Sequence, residues 1–242
     1  MGRAFEVRKA SMLKTSNAKA KVYSRFGKEI YVVAKQGEPD PEMNAGLKKI
    51  IERAKANNVP ADVIKRAIEK AKGGSNESYT SSTYEGFGNG GTGATVVIEC
   101  LSDNANRTIA DLRACFNKAK AKIGVAGSVS FNYEHVGNIV IEYDDEEAMM
   151  EALIEADVNL LEIEVEDGTM NINVEPSDLH KAKLAIEALI PDVKFLALEP
   201  TMIPNEYVEL EGDEKMLFER LVTLLDDVDD VQNIYHNVAN LD

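Results

Sequence analysis

Apolar positions in the first third of the chain recur with a helical period. From Asn17 to Gln36, Val22, Phe26, Ile30 and Val33 fall three and four residues apart, one stripe of a helix that Gly37 suits as a C-terminal cap. Asp40-Pro41 fits the start of a second helix, with Met43, Leu47, Ile50, Ile51 and Ala54 as its stripe and Asn57-Asn58 at its end. Val59-Pro60 opens a third, with Ile64, Ala67, Ile68 and Ala71, which stops at Gly73-Gly74. Three short helices with one apolar face each can bury those faces only against one another, as a small bundle.

Beyond Gly73 the period changes. Gly73 to Ser82 is rich in Gly, Ser, Asn and Thr and reads as a linker. Ala94 to Leu101 is short, apolar and β-branched, the mark of a buried strand. Asp103, Asn104 and Asn106 offer cap oxygens to a helix carrying Ile109, Leu112, Phe116 and Ala119, and Val129, Phe131 and Tyr133 alternate with polar residues as a second strand. From Gly137 the order is a strand at 139–141, a helix at 144–156, a strand at 161–165, a turn at Asp167-Gly168, a strand at 172–174, a helix from Pro176 to Leu189 and a strand at 194–198. That β-α-β-β-α-β sequence is the ferredoxin-like split unit. The remaining Tyr207–Leu210, 213–225 and Val231–Val238 read β-α-β and would complete a second such unit with residues 94–133.

The expected fold class is α+β: an N-terminal three-helix bundle followed by two ferredoxin-like α+β domains, one inserted in the other. The expected domains are residues 1–77 (basic arm and helical domain), 78–134 plus 203–242 (a discontinuous α+β domain) and 135–202 (the inserted domain).

Charge changes this picture. The net charge of −15 hides an asymmetry: residues 1–76 hold 17 Lys/Arg against 8 Asp/Glu, and the rest 10 against 34. A basic head on an acidic body points to a polyanion partner met by the head. Arg8, Lys9 and Lys14 lie on the arm and Lys19 at the start of the first helix. Lys21, Arg25 and Lys28 follow at i, i+4 and i+7 and share one helix face. Arg107, Arg113 and Lys118 recur on the helix after the first strand, opposed there by Asp111 alone. These ten residues are the candidate nucleic-acid contacts, through phosphates and hence salt-sensitive.

Other chemistry finds little support. The glycines between Gly86 and Gly93 precede a strand, whereas a phosphate loop leads from a strand into a helix; a hairpin loop with a turn at Asn89-Gly90 accounts for them. Cys100 and Cys115 read as reduced, packed thiols, hence a cytoplasmic setting. Asp226, Asp227, Asp229 and Asp230 lack the glycine and closing Glu of a calcium loop. His135, His180 and His236 sit on separate elements with no partner at catalytic spacing. No catalytic residue, metal or cofactor is expected, and no run is apolar enough to span a bilayer.

Several segments also carry a resemblance. Tyr84-Glu85-Gly86-Phe87-Gly88, Ile98 to Thr108 and Gly127-Ser128-Val129-Ser130-Phe131 resemble the signature of the YebC family. So do Gly37-Glu38-Pro39-Asp40-Pro41 with Asn44, Asn57-Asn58, Asp226 to Val231 and Tyr235-His236-Asn237. The chain departs from the family in lacking a Ser-Lys-Trp near its start and in a longer glycine loop without proline. The resemblance implies three domains and a probable transcriptional regulator, with translational activation as the alternative. Partners would be DNA or ribosomal RNA, the latter within the ribosome, with no membrane and with acidic domains available to dock other proteins.

Overall fold

The computed structural model describes residues 17–73 and 78–241, with side chains from Lys21 onward. The chain forms two compact units: residues 132–206 make one, and the segments on either side of them make the other.

The larger unit begins with α1 (Asn17–Gln36), α2 (Ala45–Ala56) and α3 (Ala61–Lys72). Ile30, Leu47 and Ala54 are fully buried between them, with Phe26, Ile51 and Ile64 around. Burial of each large aliphatic chain contributes about 1.5–3 kcal/mol. The second helix starts four residues later than Asp40-Pro41 suggests, because Asn44 is its cap. Its Oδ1 accepts from the Leu47 amide at 3.0 Å, while its Nδ2 donates to the Val33 and Glu38 carbonyls and ties the turn to α1. A Cβ on Gly37 would lie 2.7 Å from that amide nitrogen.

The first sheet contains β1 (Thr80–Phe87), β2 (Thr95–Ser102), β3 (Lys122–Ile123) and, from the C-terminal segment, β8 (Val231–His236). Their order is β3-β1-β2-β8, antiparallel throughout. Between β2 and β3 runs α4 (Ala105–Lys118), capped by Asn104, and α7 (Gly212–Asp226) leads into β8. Both helices cover one sheet face, where Val96, Ile98, Leu112, Phe116, Phe218 and Leu221 form the core.

The smaller unit is β4 (Tyr133–Glu142), α5 (Glu146–Glu155), β5 (Leu160–Glu166), β6 (Thr169–Val174), α6 (Leu179–Leu189) and β7 (Phe195–Pro204). Its order β5-β6-β4-β7 is the ferredoxin-like arrangement that the β-α-β-β-α-β succession implies. The α+β class therefore stands: an N-terminal helical bundle, then two four-stranded sheets, one inserted in the other.

Three strand expectations are corrected. Residues 129–131 are not a strand: the Glu85 carboxylate takes the amides of Gly127, Val129 and Ser130 at 2.5–3.0 Å, so no neighbouring strand can. A 3₁₀ turn follows, and Tyr133 already belongs to β4 of the smaller unit. Residues 80–87, read as the end of a linker and the start of a glycine loop, form a full strand paired from Thr80↔Ser102 to Phe87↔Thr95. Gly86 belongs to that strand because a Cβ there would stand 2.3 Å from the Phe116 ring. Tyr207–Leu210 reduces to one bridge, Val208 with Val238. The glycines after β1 make the β1–β2 hairpin, with Gly90, Gly91 and Gly93 at positive φ.

Candidate nucleic-acid interface

The basic face of α1 exists as the helical spacing requires, yet it does not point to open solvent. It meets the acidic turn between α7 and β8 within the larger unit. Lys21 Nζ lies 2.9 Å from Asp226 Oδ2 and 2.7 Å from Asp227 Oδ1. Arg25 donates from Nη2 to Asp226 Oδ1 at 2.7 Å and from Nε to the Val231 carbonyl at 3.1 Å. Lys28 Nζ donates to the Asp229 carbonyl at 2.7 Å and stands 3.5 Å from Asp230 Oδ1. The hydrogen bonds that Lys21 donates to Asp227 and Asp226 raise its pKa.

Asp230 is the buried centre of this arrangement. It is 2% exposed and accepts from the hydroxyls of Ser102 and Thr108, both at 2.9 Å. The Arg107 guanidinium reaches it at 2.8 Å and also binds Asp103 at 2.8 Å. Burial would push the Asp230 carboxyl up, but the hydrogen bonds from Arg107, Ser102 and Thr108 and the charge of Lys28 hold it below the usual carboxylate range. Asp226 follows the same logic: burial raises it, and Lys21 and Arg25 outweigh that.

Arg113 and Lys118, on α4, are exposed, as are Lys48, Lys49 and Lys55 on α2 and Lys72 at the end of α3. Lys19 lies on α1 with its side chain outside the described residues; Arg8, Lys9 and Lys14 lie outside them altogether. The structure thus gathers Lys21, Arg25, Lys28 and Arg107 at one acidic turn, and Lys118 lines the hollow beside it. A hollow of about 740 Å³ beside the turn mixes Lys28, Arg107 and Lys118 with Asp103, Asp111 and Asp227. Cys100 and Cys115 are buried free thiols, and burial pushes Cys100 up to about 12. Among the described residues no group of His, Cys, Asp and Glu could hold a metal ion, and no helix is long and apolar enough to cross a membrane.

The segments that carry the family resemblance are those that bind one another here. Glu85 holds residues 127–130, the Ser102–Thr108 corner holds Asp230, and Asn237 accepts from the Thr95 amide and donates to the Gly93 carbonyl. Two family models cover nearly the whole chain: the TACO1/YebC protein N-terminal domain over residues 3–74, and the TACO1/YebC second and third domain over 79–238. The chain belongs to the TACO1/YebC family. Family members similar to it include a probable transcriptional regulatory protein of Pseudoalteromonas translucida, 48% identical over 98% of both chains. Another, from Alteromonas mediterranea, is 46% identical over 99% of both. The crystal structure of a conserved hypothetical protein, Aq1575 from Aquifex aeolicus, is similar with a TM-score of 0.76 at 29% identity, covering 93% of this chain and 92% of that one. At family level, then, the protein is a TACO1/YebC regulator.

The partners of the basic face of this TACO1/YebC chain are not legible in its sequence. The acidic run at Asp226–Asp230 was visible, but its distance of some 200 residues from Lys21 gave no sign that the two would meet. Charge complementarity between the two runs was the only available signal.

Proposed function

We propose that the protein is a non-enzymatic regulator of gene expression that binds nucleic acid through the outer cations of its helical bundle and the neighbouring α4. DNA is the leading partner, in line with the names of its relatives. The observation that carries this reading is the exposure of Lys48, Lys49, Lys55, Lys72, Arg113 and Lys118 at the surface of the larger unit. Lys21, Arg25, Lys28 and Arg107, engaged with Asp226–Asp230, serve in this reading to hold the bundle in place rather than to grip phosphate. Arg8, Lys9, Lys14 and Lys19 would extend the surface from the arm.

A second reading, ribosomal RNA and a role in translation, draws on the charge balance. The 34 acidic against 10 basic residues beyond residue 76 would repel a long duplex and favour a local contact. Ribosome co-sedimentation and promoter-fragment binding, run at matched salt, separate the two. The double variant Arg113→Glu/Lys118→Glu tests the surface under either reading. Affinity should fall, and the salt slope on duplex DNA should flatten by about 0.9 for each phosphate that is no longer neutralised. Unchanged affinity and slope would remove α4 from the interface.

A further inference from the structure

We infer that the larger unit meets single-stranded nucleic acid along the segment from Lys120 to Phe131, where the Phe131 ring stacks on an unpaired base and Lys120 and Lys122 meet the flanking phosphates. The inference deepens the nucleic-acid reading above and rests on it. From Leu112 to Tyr133 no acidic residue occurs over 22 positions, although 34 acids lie beyond residue 76. The same stretch carries Arg113, Lys118, Lys120 and Lys122. Lys118 lines the hollow with Asp111 and Asp227. Lys120 and Lys122 are exposed and, among the described residues, form no side-chain hydrogen bond or ion pair. So basic a stretch inside so acidic a portion of the chain is where a polyanion can approach.

Strand register sets Lys122 and the loop that ends in Phe131 on one side of the first sheet. Gly86 pairs with Ile123 and faces α4, since a Cβ on Gly86 would meet the Phe116 ring and Ile123 packs in the core under that helix. Phe87 pairs with Lys122, so both point to the opposite face, as does Glu85. There the Glu85 carboxylate, 5% exposed, accepts the Gly127, Val129 and Ser130 amides, and Val129 is itself buried. Gly124 lies against Phe87, whose ring would stand 3.1 Å from a Cβ on that glycine. The loop is thus fastened from Gly124 to Ser130, and it presents Phe131 at 78% exposure. Across the ladder and along β1, Lys122 and Phe131 are separated by roughly 15 Å, a span of about four stacked nucleotides and within the range of single-strand sites. An exposed ring on a fastened loop, with cations alongside, is how unpaired bases are held, since stacking uses the base face and the cations meet the phosphate.

Lys120 supplies an independent observation. It follows the end of α4 in the left-handed region, at φ +53°, with the Ala121 amide returning to the Phe116 carbonyl at 2.9 Å. Glycine is the ordinary residue at such a helix end, because a Cβ there crowds the following carbonyl. Lysine keeps a strained backbone at this place and puts a cation on the surface. Stability alone calls for glycine; an anionic ligand calls for lysine.

Three variants test the assignment, with labelled 12-nucleotide single strands of DNA and RNA and a blunt duplex as probes in fluorescence anisotropy. Phe131→Ala removes an exposed ring and should melt as wild type does. It should weaken single-strand binding about tenfold, the value of one stacked base, and leave the duplex unaffected. A loss on DNA or on RNA supports the platform, and the larger of the two identifies the strand it takes. Phe131→Trp should keep the affinity and, the chain having no tryptophan of its own, its emission should be quenched by the strand and not by the duplex. Lys120→Gly should melt about 2–4 °C higher, yet bind the strand less tightly and flatten its salt slope by about 0.7, the share of one phosphate. Wild-type affinity and slope in that variant would overturn the role given to Lys120. If wild type binds the duplex alone, or Phe131→Ala binds the strand as wild type does or loses strand and duplex alike, the stacking platform is overturned while the nucleic-acid reading stands. If wild type binds neither strand nor duplex, that reading falls and the platform with it.

Discussion

Asp230→Ala is expected to destabilise the larger unit by about 3 kcal/mol, far more than the same change at Asp226 four residues earlier. The figure follows from what each carboxylate leaves behind. Ser102, 4% exposed, loses the acceptor of its hydroxyl proton, and a hydrogen bond to a charged group is worth about 1.5–3 kcal/mol. Thr108 loses less, because its hydroxyl also reaches the Asn104 carbonyl at 3.1 Å. Arg107 keeps Asp103, and its side chain is 47% exposed, so water replaces much of the lost pair at a cost of about 1 kcal/mol or less. At Asp226, 44% exposed, the released partners Lys21 and Arg25 are solvated, and about 1 kcal/mol or less should be lost. Asp230→Asn, which keeps an oxygen for Ser102, should fall between the two. Equilibrium urea unfolding followed by tyrosine fluorescence, with the slope unchanged, reads all three. Equal losses at Asp226 and Asp230, or a loss below about 1 kcal/mol at Asp230, would refute the claim that burial grades this cluster.

Two further outcomes follow from the same groups. Asp226, Asp230 and Glu85 all have folded-state pKa values below the usual carboxylate range, so their stabilisation is complete above about pH 4 and is lost as pH falls through the folded values. Glu29, raised by burial despite Arg53, has the opposite sign, its contribution being lost as pH rises, so it only softens that decline. The urea midpoint should drop as pH falls below about 4, less steeply in Asp230→Ala; a midpoint independent of pH there would contradict the assigned shifts. Separately, Asp226→Asn with Asp227→Asn should release Lys21 and Arg25, raise nucleic-acid affinity and steepen its salt dependence, measured by anisotropy over a salt series. An affinity equal to wild type would mean that α1 takes no part in binding even when unpaired.

Local periodicity made most of the architecture legible. The α1 stripe through Val22, Phe26 and Ile30, the Asn104 cap and the βαββαβ order of the smaller unit are short-range patterns, and the structure has them. What escaped was set by contacts distant in sequence. Residues 129–133 alternate as a strand would, but the Glu85 carboxylate, more than forty residues away, claims the amides of Val129 and Ser130. Residues 80–87 look like linker because Ser and Thr face outward there and Gly86 yields to the Phe116 ring. The same limit governed the site: the helical spacing of Lys21, Arg25 and Lys28 was readable, whereas their anionic partners, some 200 residues on, were not.

A surplus of charge along a stretch of sequence is therefore not yet a field in space. Residues 1–76 carry nine more positive than negative charges, but three of those cations are matched by carboxylates from the far end of the chain. The match is graded by burial. Lys21 and Arg25 meet half-exposed Asp226 and Asp227, pairs weak enough for a chain of phosphates to displace, since each phosphate gained also releases a counterion. Lys28 and Arg107 meet Asp230, whose carboxylate is sealed among hydroxyls and would be left buried without a counter-charge if they departed. A polyanion can thus recruit the outer pairs while the inner ones keep the bundle seated. The Asp226/Asp227 variant probes the first half of that division, and Asp230→Ala the second.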